Sequence, residues 1–373
     1  MLINWGLYFC ENIEVLNFTS NEKELNHEIS YQLCYNCKNL KKVILSSQID
    51  TLRERCFDGC SSLYDIDLRY ITTIYNGCFS GCIALKSFNI PNLFNIRYRA
   101  FSYSAIESFK FNQYIKTILD EIFFSAKNLS KVTLLEGITR IEEYAFKNTS
   151  LSDITIPSTV ESIHPTAFDL TDVKINVVKK NPYFFTSEHC LIDKLNGNLI
   201  LTFGKLPLIF TIPNEVKKLG DNSIRPCNDS VTIESSILYQ KSIGAAVIKI
   251  SSSVISISQS AFTDVHFLYT VCYDGFVYSN DREFKKPELL RNAFVTDNYI
   301  YDEFLKLPTM KQCNEEIPNE MKIRLNVGLT TTEIVLIVVC SLLALILIVT
   351  FIVIAICLCK RKKEESSVFQ QIL

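Results

Sequence analysis

One aromatic position recurs along this chain: Phe57, Phe79, Phe101, Phe123, Phe146 and Phe168, at intervals of 22, 22, 22, 23 and 22 residues. A short fixed period constrains a fold more than any other sequence feature. A unit this small cannot bury its own apolar face and must stack on its neighbours. Five residues before each Phe stands an aliphatic: Leu52, Ile74, Ile96, Ile118, Ile141 and Ile163. After it comes a Leu or Ile and then an alternating pair, as in Leu63/Ile66/Leu68, Leu85/Phe88/Ile90, Ile106/Phe109/Phe111, Leu129/Val132/Leu134 and Leu151/Ile154/Ile156. Five periods in register do not arise by chance.

The alternating pair has period two, so both side chains fall on one face of a short strand. The L-x-x-L-x-L spacing is that of a leucine-rich repeat. Coils stacked about 4.8 Å apart would line up like positions as buried columns, with the six Phe residues above as one of them. Asp58-Gly59 and Asn76-Gly77 supply turn chemistry between apolar positions. The expected fold class is a β-rich repeat solenoid of 22–23-residue units.

The segments I-T-I-P-S-T-V-E-S-I-H-P-T-A-F (154–168) and S-F-N-I-P-N-L-F-N-I-R-Y-R-A-F (87–101) resemble the repeat of BspA-like, or treponemal-type, leucine-rich surface proteins. That family is much expanded in parasitic protists such as trichomonads. G-C-S-S-L (59–63) and G-C-I-A-L (81–85) are similar to its link into the next strand. Asn181-Pro182-Tyr183, Leu191-Ile192-Asp193-Lys194 and Ile212-Pro213 are similar to an insertion that interrupts many such arrays. Asn196-Gly197 between two apolar runs predicts a type I′ β-hairpin there. The array then resumes through Val216, Leu219, Ile224, Ile248, Ile250, Val254, Ile257 and Phe262. The expected organisation is a degenerate N-terminal cap over 1–34 and a solenoid over 35–275 with the hairpin insertion at 176–210. A C-terminal cap and stalk over 276–333 follows.

Residues 334–359 contain no charge and are almost purely apolar. About 20 helical residues cross a bilayer core, so this run reads as one transmembrane α-helix. Lys360, Arg361, Lys362 and Lys363 follow it, which places the tail 360–373 in the cytoplasm and residues 1–333 outside a plasma membrane. The start, MLINWGLYFCENIEVL, has no cationic region and reads poorly as a secretory signal. Sequons at Asn17, Asn128, Asn148 and Asn228 are candidate glycosylation sites on an exported chain.

Lys plus Arg number 38 and Asp plus Glu 40, a net of -2, so the positive excess that nucleic acid binding demands is missing. Four scattered histidines (His27, His164, His189, His266) give no metal or catalytic constellation, and no nucleophile elbow, zincin, dinucleotide or P-loop string occurs. No enzyme and no cofactor is expected. Cys34-x-x-Cys37, Cys56-x-x-x-Cys60 and Cys78-x-x-x-Cys82 invite a zinc reading, but Cys56 and Cys78 hold the position of Ala100, Ala145 and Ala167 and read as small core fillers. A Cys60–Cys82 bridge between stacked coils is the other reading left open.

What such an array offers is surface. The residues alternating with the buried pair form a ladder of candidate ligand contacts: Asp65, Asp67, Arg69, Asn89, Lys110, Asn112, Lys131, Thr133, Asp153 and Thr155. A mixed polar ladder suits an extracellular protein or glycan partner. The resemblance implies adhesion to host cells or matrix. The alternative is a signalling receptor whose short tail recruits cytosolic partners.

Overall fold

The computed structural model describes residues 7–19, 27–207, 209–225, 247–262, 265, 268–276, 285–287 and 290–313. All of them fall in one compact unit. The chain winds in coils that repeat the sequence period, and like positions of successive coils pair in parallel.

One column of short strands holds the alternating pair. Val15–Phe18, Lys42–Leu45 and Asp65–Ile66 pair in that order, with Leu16 opposite Val43 and Val43 opposite Ile66. Ser108–Lys110 pairs with Lys131–Thr133, and Asp153–Ile156 with Lys174–Val177. A second column holds the aliphatic that precedes each Phe. Glu28–Ile29, Thr51–Leu52, Thr73–Ile74 and Asn95–Ile96 form one sheet, and Thr117–Ile118, Arg140–Ile141 and Ser162–Ile163 another.

The third wall of each coil is a turn that carries the Phe. The backbone N–H groups of Phe57, Phe79, Phe101, Phe123 and Phe146 donate to the carbonyls of Cys78, Ala100, Ile122, Ala145 and Ala167 in the next coil. All six rings of the column are buried. Their centroids lie 5.7, 5.5, 5.9, 5.7 and 5.3 Å apart in sequence order, each pair nearly parallel. These separations exceed the strand spacing of about 4.8 Å, as offset stacking requires.

Two residues before and after each of the first five Phe residues of the column the backbone takes a positive φ. Arg55, Gly77, Arg99, Glu121 and Tyr144 occupy the first position, and Gly59, Gly81, Tyr103, Ser125 and Asn148 the second. Most of these are not glycine, so coil stacking imposes the left-handed turn on residues that resist it. Gly59 is a case of need: a Cβ there would lie 2.5 Å from the Asn36 side-chain oxygen.

After Val177 the pattern changes. Phe184–Ser187, Cys190–Asp193 and Asn198–Thr202 form an antiparallel meander whose last strand pairs in parallel with Lys218–Leu219, returning the chain to the second column. The expected type I′ turn at Asn196-Gly197 is not what forms. Gly197 has φ 65°, but Asn196 stays out of the left-handed region. Asp193 organises the turn instead. Its carboxylate accepts from the Leu195 N–H (2.8 Å) and the Asn196 amide (3.0 Å), and its carbonyl accepts from Gly197 N–H (2.9 Å).

The meander is buried on both sides. Leu191, Leu201 and Phe203 pack into the core that runs back to Ile29. Their neighbours Cys190, Ile192 and Leu199 pack into a second core that runs on to Leu307. Alternation along the middle strand, with a register shift that turns Leu199 and Leu201 of the last strand to opposite faces, makes one wall serve two cores. Phe262 is buried in the second.

Beyond the wall, Ile209–Thr211, Val247–Ile250, Thr270–Tyr273, Asn292–Val295 and Leu307–Lys311 pair in parallel, with Glu303–Phe304 antiparallel at the edge. Part of the segment expected as cap and stalk therefore belongs to the ladder. Asn292 stands opposite Thr270, a separation of 292 − 270 = 22 residues, so the period persists there without its Phe. Cys272 is bonded to Cys313, with their Cα atoms 5.6 Å apart. Among the described residues no helix is long and apolar enough to cross a membrane. The expected span 334–359, the tail 360–373 and the stalk beyond Cys313 lie outside the described residues.

Candidate ligand-binding face

The first strand column turns its polar positions outward. Asp67, Arg69, Asn89, Lys110, Lys131, Asp153 and Thr155 are exposed, while Asp65, Asn112 and Thr133 are half-buried. Several of these groups satisfy one another. Lys42 Nζ lies 2.7 Å from Asp65, and the Arg69 guanidinium 2.8 Å from Asp67. Partial burial opposes ionisation of Asp67, yet hydrogen bonds from the Arg69 side chain and N–H outweigh it and hold the carboxyl below its ordinary range. Asn112 is spent internally: its amide donates to Leu93 carbonyl (2.5 Å) and its oxygen accepts from Tyr114 N–H (3.0 Å). Lys110 and Lys131 differ. They stand on paired strands, with Lys110 opposite Thr133 and Lys131 opposite Ser108, and neither has an ion pair among the described residues.

The ladder is interrupted twice: Lys131–Thr133 does not pair with Asp153–Ile156, and at the other break a whole coil lacks its strand. Between Asp65–Ile66 and Ser108–Lys110 the coil over 86–90 forms no strand. Its one backbone bond to the following coil runs from Glu107 N–H to Lys86 carbonyl (3.0 Å). Side-chain volume explains the break. The next coil carries Phe109 and Phe111 where the coil after it carries Val132 and Leu134, and both rings are buried against Phe123, at 5.1 and 6.1 Å. With that space filled, Phe88 stays half-buried on Phe101, 5.0 Å away. An overfilled core displaces backbone.

The displaced coil opens a groove enclosing about 570 Å³, lined by Phe88 to Asn92, Ser108 to Tyr114 and Leu135. Three residues anticipated for the ligand face meet in it: Asn89, Lys110 and Asn112. Gln113 and Tyr114 were not anticipated. The visible signal for them was the aromatic crowding of Phe88, Phe109 and Phe111 in two adjacent coils, which marks the coil that lacks its strand.

A smaller depression of about 210 Å³ lies on the turn side, around Arg55, Asp58, Gly77 and Arg99. Four of its five charges are paired, Arg55 with Asp58 (3.6 Å) and Arg99 with Glu121 (2.7 Å); Glu54 has no ion pair among the described residues. Burial pushes the Asp58 carboxyl above its ordinary range, against the nearby Arg55 charge and the Ser80 hydroxyl.

The sequons are placed unequally. Asn17 and Asn128 are exposed. Asn148 is half-buried in a left-handed turn and its amide donates to the Ser125 hydroxyl (3.0 Å). Asn228 and His266 lie outside the described residues. Cys60 and Cys82 are not bridged; their thiols donate to the carbonyls of Cys34 and Phe57. The near pair is Cys56 and Cys78, with sulfurs 3.1 Å apart. Among the described residues no cluster of three or more potential ligands could hold a metal ion.

The BspA-type leucine-rich repeat region, in six copies, matches residues 4–105, 68–174 and 94–195, together more than half of the chain. The chain belongs to the BspA-type leucine-rich repeat family. No curated protein matches it. Among solved structures, this BspA-type chain is similar to a leucine-rich repeat protein from Bacteroides ovatus, with TM-score 0.51 and 19% identity over 79% of this chain and 71% of that one. A leucine-rich cell surface protein from Faecalibacterium prausnitzii (TM-score 0.44, 20% identity, 73% and 71% covered) and the pneumococcal vaccine antigen PcpA (TM-score 0.46, 16% identity, 81% and 76% covered) are similar at a lower level.

Proposed function

We propose that this BspA-type chain is a non-enzymatic binding module displayed on the outside of a cell, held by one membrane-spanning helix at 334–359, and used in adhesion to host cells or matrix. The exposed ladder is its ligand face. Lys110 and Lys131 carry this reading, because two exposed cations on adjacent paired strands, neither in an ion pair among the described residues, are free to meet a ligand. The uncharged run at 334–359 and the four cations after it supply the anchor and its orientation. Among the described sequons, Asn17 and Asn128 are the accessible sites for glycosylation.

The test uses the full-length chain displayed on cells. Reversing both cations (Lys110→Glu with Lys131→Glu) is expected to lower attachment to target cells by about tenfold or more, as loss of charge complementarity does. Unchanged attachment would remove the ladder as the contact face. Protease shaving should strip the repeats and spare the tail; the opposite pattern would invert the topology. Deleting 364–373 should leave attachment intact, whereas its loss would favour a receptor that acts through the tail.

A further inference from the structure

We infer that the groove between residues 88–92 and 108–114 is a subsite for a neutral oligosaccharide. Its pyranose rings lie on Tyr114 and Phe94, and its hydroxyls bond to Asn89, Gln113 and Ser108. This inference rests on the binding-module reading and names the ligand for one part of that face.

The first support is shape. The missing strand at 86–90 leaves an open concavity of about 570 Å³, against about 210 Å³ on the turn side. The second is unused hydrogen-bonding capacity. The side chains of Asn89, Gln113 and Ser108 are all exposed and make no hydrogen bond among the described residues. An amide offers donors and an acceptor side by side, and a hydroxyl offers both roles, which is the combination that vicinal sugar hydroxyls require. The third is an aromatic platform. Tyr114 lines the groove and is 49% exposed, and Phe94, at the groove's rim and 66% exposed, has its ring centroid 6.0 Å away and its plane tilted by 41°. Two such rings side by side in water are costly to keep bare, and an aromatic face packs well against the C–H face of a pyranose.

Charge and access decide between ligand classes. Lys110 is the only charged residue lining the groove, too little for a polyanion, whose binding scales with the number of cations engaged. An extended peptide is the rival, since strand edges accept added strands. Here the slot is not open: Lys86 carbonyl is already taken by Glu107 N–H, and Phe88 remains packed on Phe101.

Saturation-transfer NMR on the full-length protein in nanodiscs, with maltotriose, chitotriose and mannotriose as probes, tests the inference. At least one is expected to show transfer to its ring C–H protons. Tyr114→Ala should weaken that binding about three- to tenfold, and Asn89→Ala should weaken it as well. Lys127→Ala, at an exposed turn away from the groove, should leave it unchanged. Both groove substitutions remove exposed side chains, and unchanged thermal melts certify the fold. Absence of binding for all three sugars at millimolar concentration would overturn the inference. So would binding indifferent to both substitutions, or displacement by a short extended peptide. Periodate oxidation of target-cell sugars separates this failure from that of the broader reading. Attachment that survives periodate yet is lost on reversing Lys110 and Lys131 removes the sugar and keeps the binding face. Sugar binding without any cell attachment does the reverse.

Discussion

The two cores on either side of the meander are built by different means. From Ile29 to Phe203 the interior is a stack of equivalent rings and small residues, with Cys56, Cys78, Ala100, Ala145 and Ala167 each preceding a buried Phe. From Cys190 to Leu307 only Ala261 and Phe262 keep that unit among the described residues. A broad parallel sheet takes over, with Tyr273 against Phe304 at 4.8 Å and a Cys272–Cys313 bond beside it. The comparison teaches that the coil is defined by its strand pairing. The Phe column is one way to fill it. Where the column is present, order comes from repetition; where it is absent, covalent and edge-strand contacts close the end.

The sharpest way to break the contrast is Phe101→Ala. This ring touches Phe79, Phe88, Phe109 and Phe123, and its loss should destabilise the first core by about 4 kcal/mol in chemical denaturation. A cost below about 1 kcal/mol would mean the column is dispensable. Next comes Arg225→Ala. Arg225 sits 2.6 Å from Asp169 with both side chains mostly buried, bridging the coil before the insertion to the coil after it. Lys147, 2.7 Å from Asp169, relieves part of the stranded charge, so about 3 kcal/mol is expected, the lower end for a broken buried pair. Hydrogen exchange should show the loosening on both sides of the meander. Cys272→Ser opens a link spanning 41 residues and should cost about 2–3 kcal/mol. Exchange should rise over 270–311 and stay unchanged over the Phe column.

The smallest effects are in pH dependence, and their signs are opposite in the two regions. Asp58 is pushed up by burial. Its contribution is therefore fully present below the unfolded carboxylate value, about 4, and is lost as pH rises through the folded one. Asp221 is held down by hydroxyl hydrogen bonds from Ser258 and Ser260. Its contribution is present above the unfolded value and is lost as pH falls through the folded one. Asp58→Asn should flatten the stability profile just above pH 4 and Asp221→Asn just below it. The same response from both would remove this distinction.

How much of this was legible in the sequence follows the same division. The 22-residue recurrence of Phe, with its flanking aliphatics, announces parallel coils directly, because in-register stacking repeats the chemistry of each position. The strands at 292–295 and 307–311 were harder to see. The period survives to 292–295 but shortens to 309 − 293 = 16 residues at the last strand, and Phe294 and Val295 sit in a sheet without the turn-borne ring that makes a unit recognisable. The ladder residues were legible as alternate positions. The groove was not, because it depends on how Phe88, Phe109 and Phe111 compete for one volume. The turn at Asn196-Gly197 misled for a local reason: the carboxylate of Asp193 captured it first.

The wall formed by residues 184–202 behaves like a bulkhead in a hull. Damage on one side need not flood the other, since each compartment has its own seal of alternate side chains from the same three strands. A chain with such a partition can lose or exchange coils on one flank during evolution while the opposite flank stays watertight. Partial melting, seen as two steps in a thermal scan, would be the physical trace of that independence.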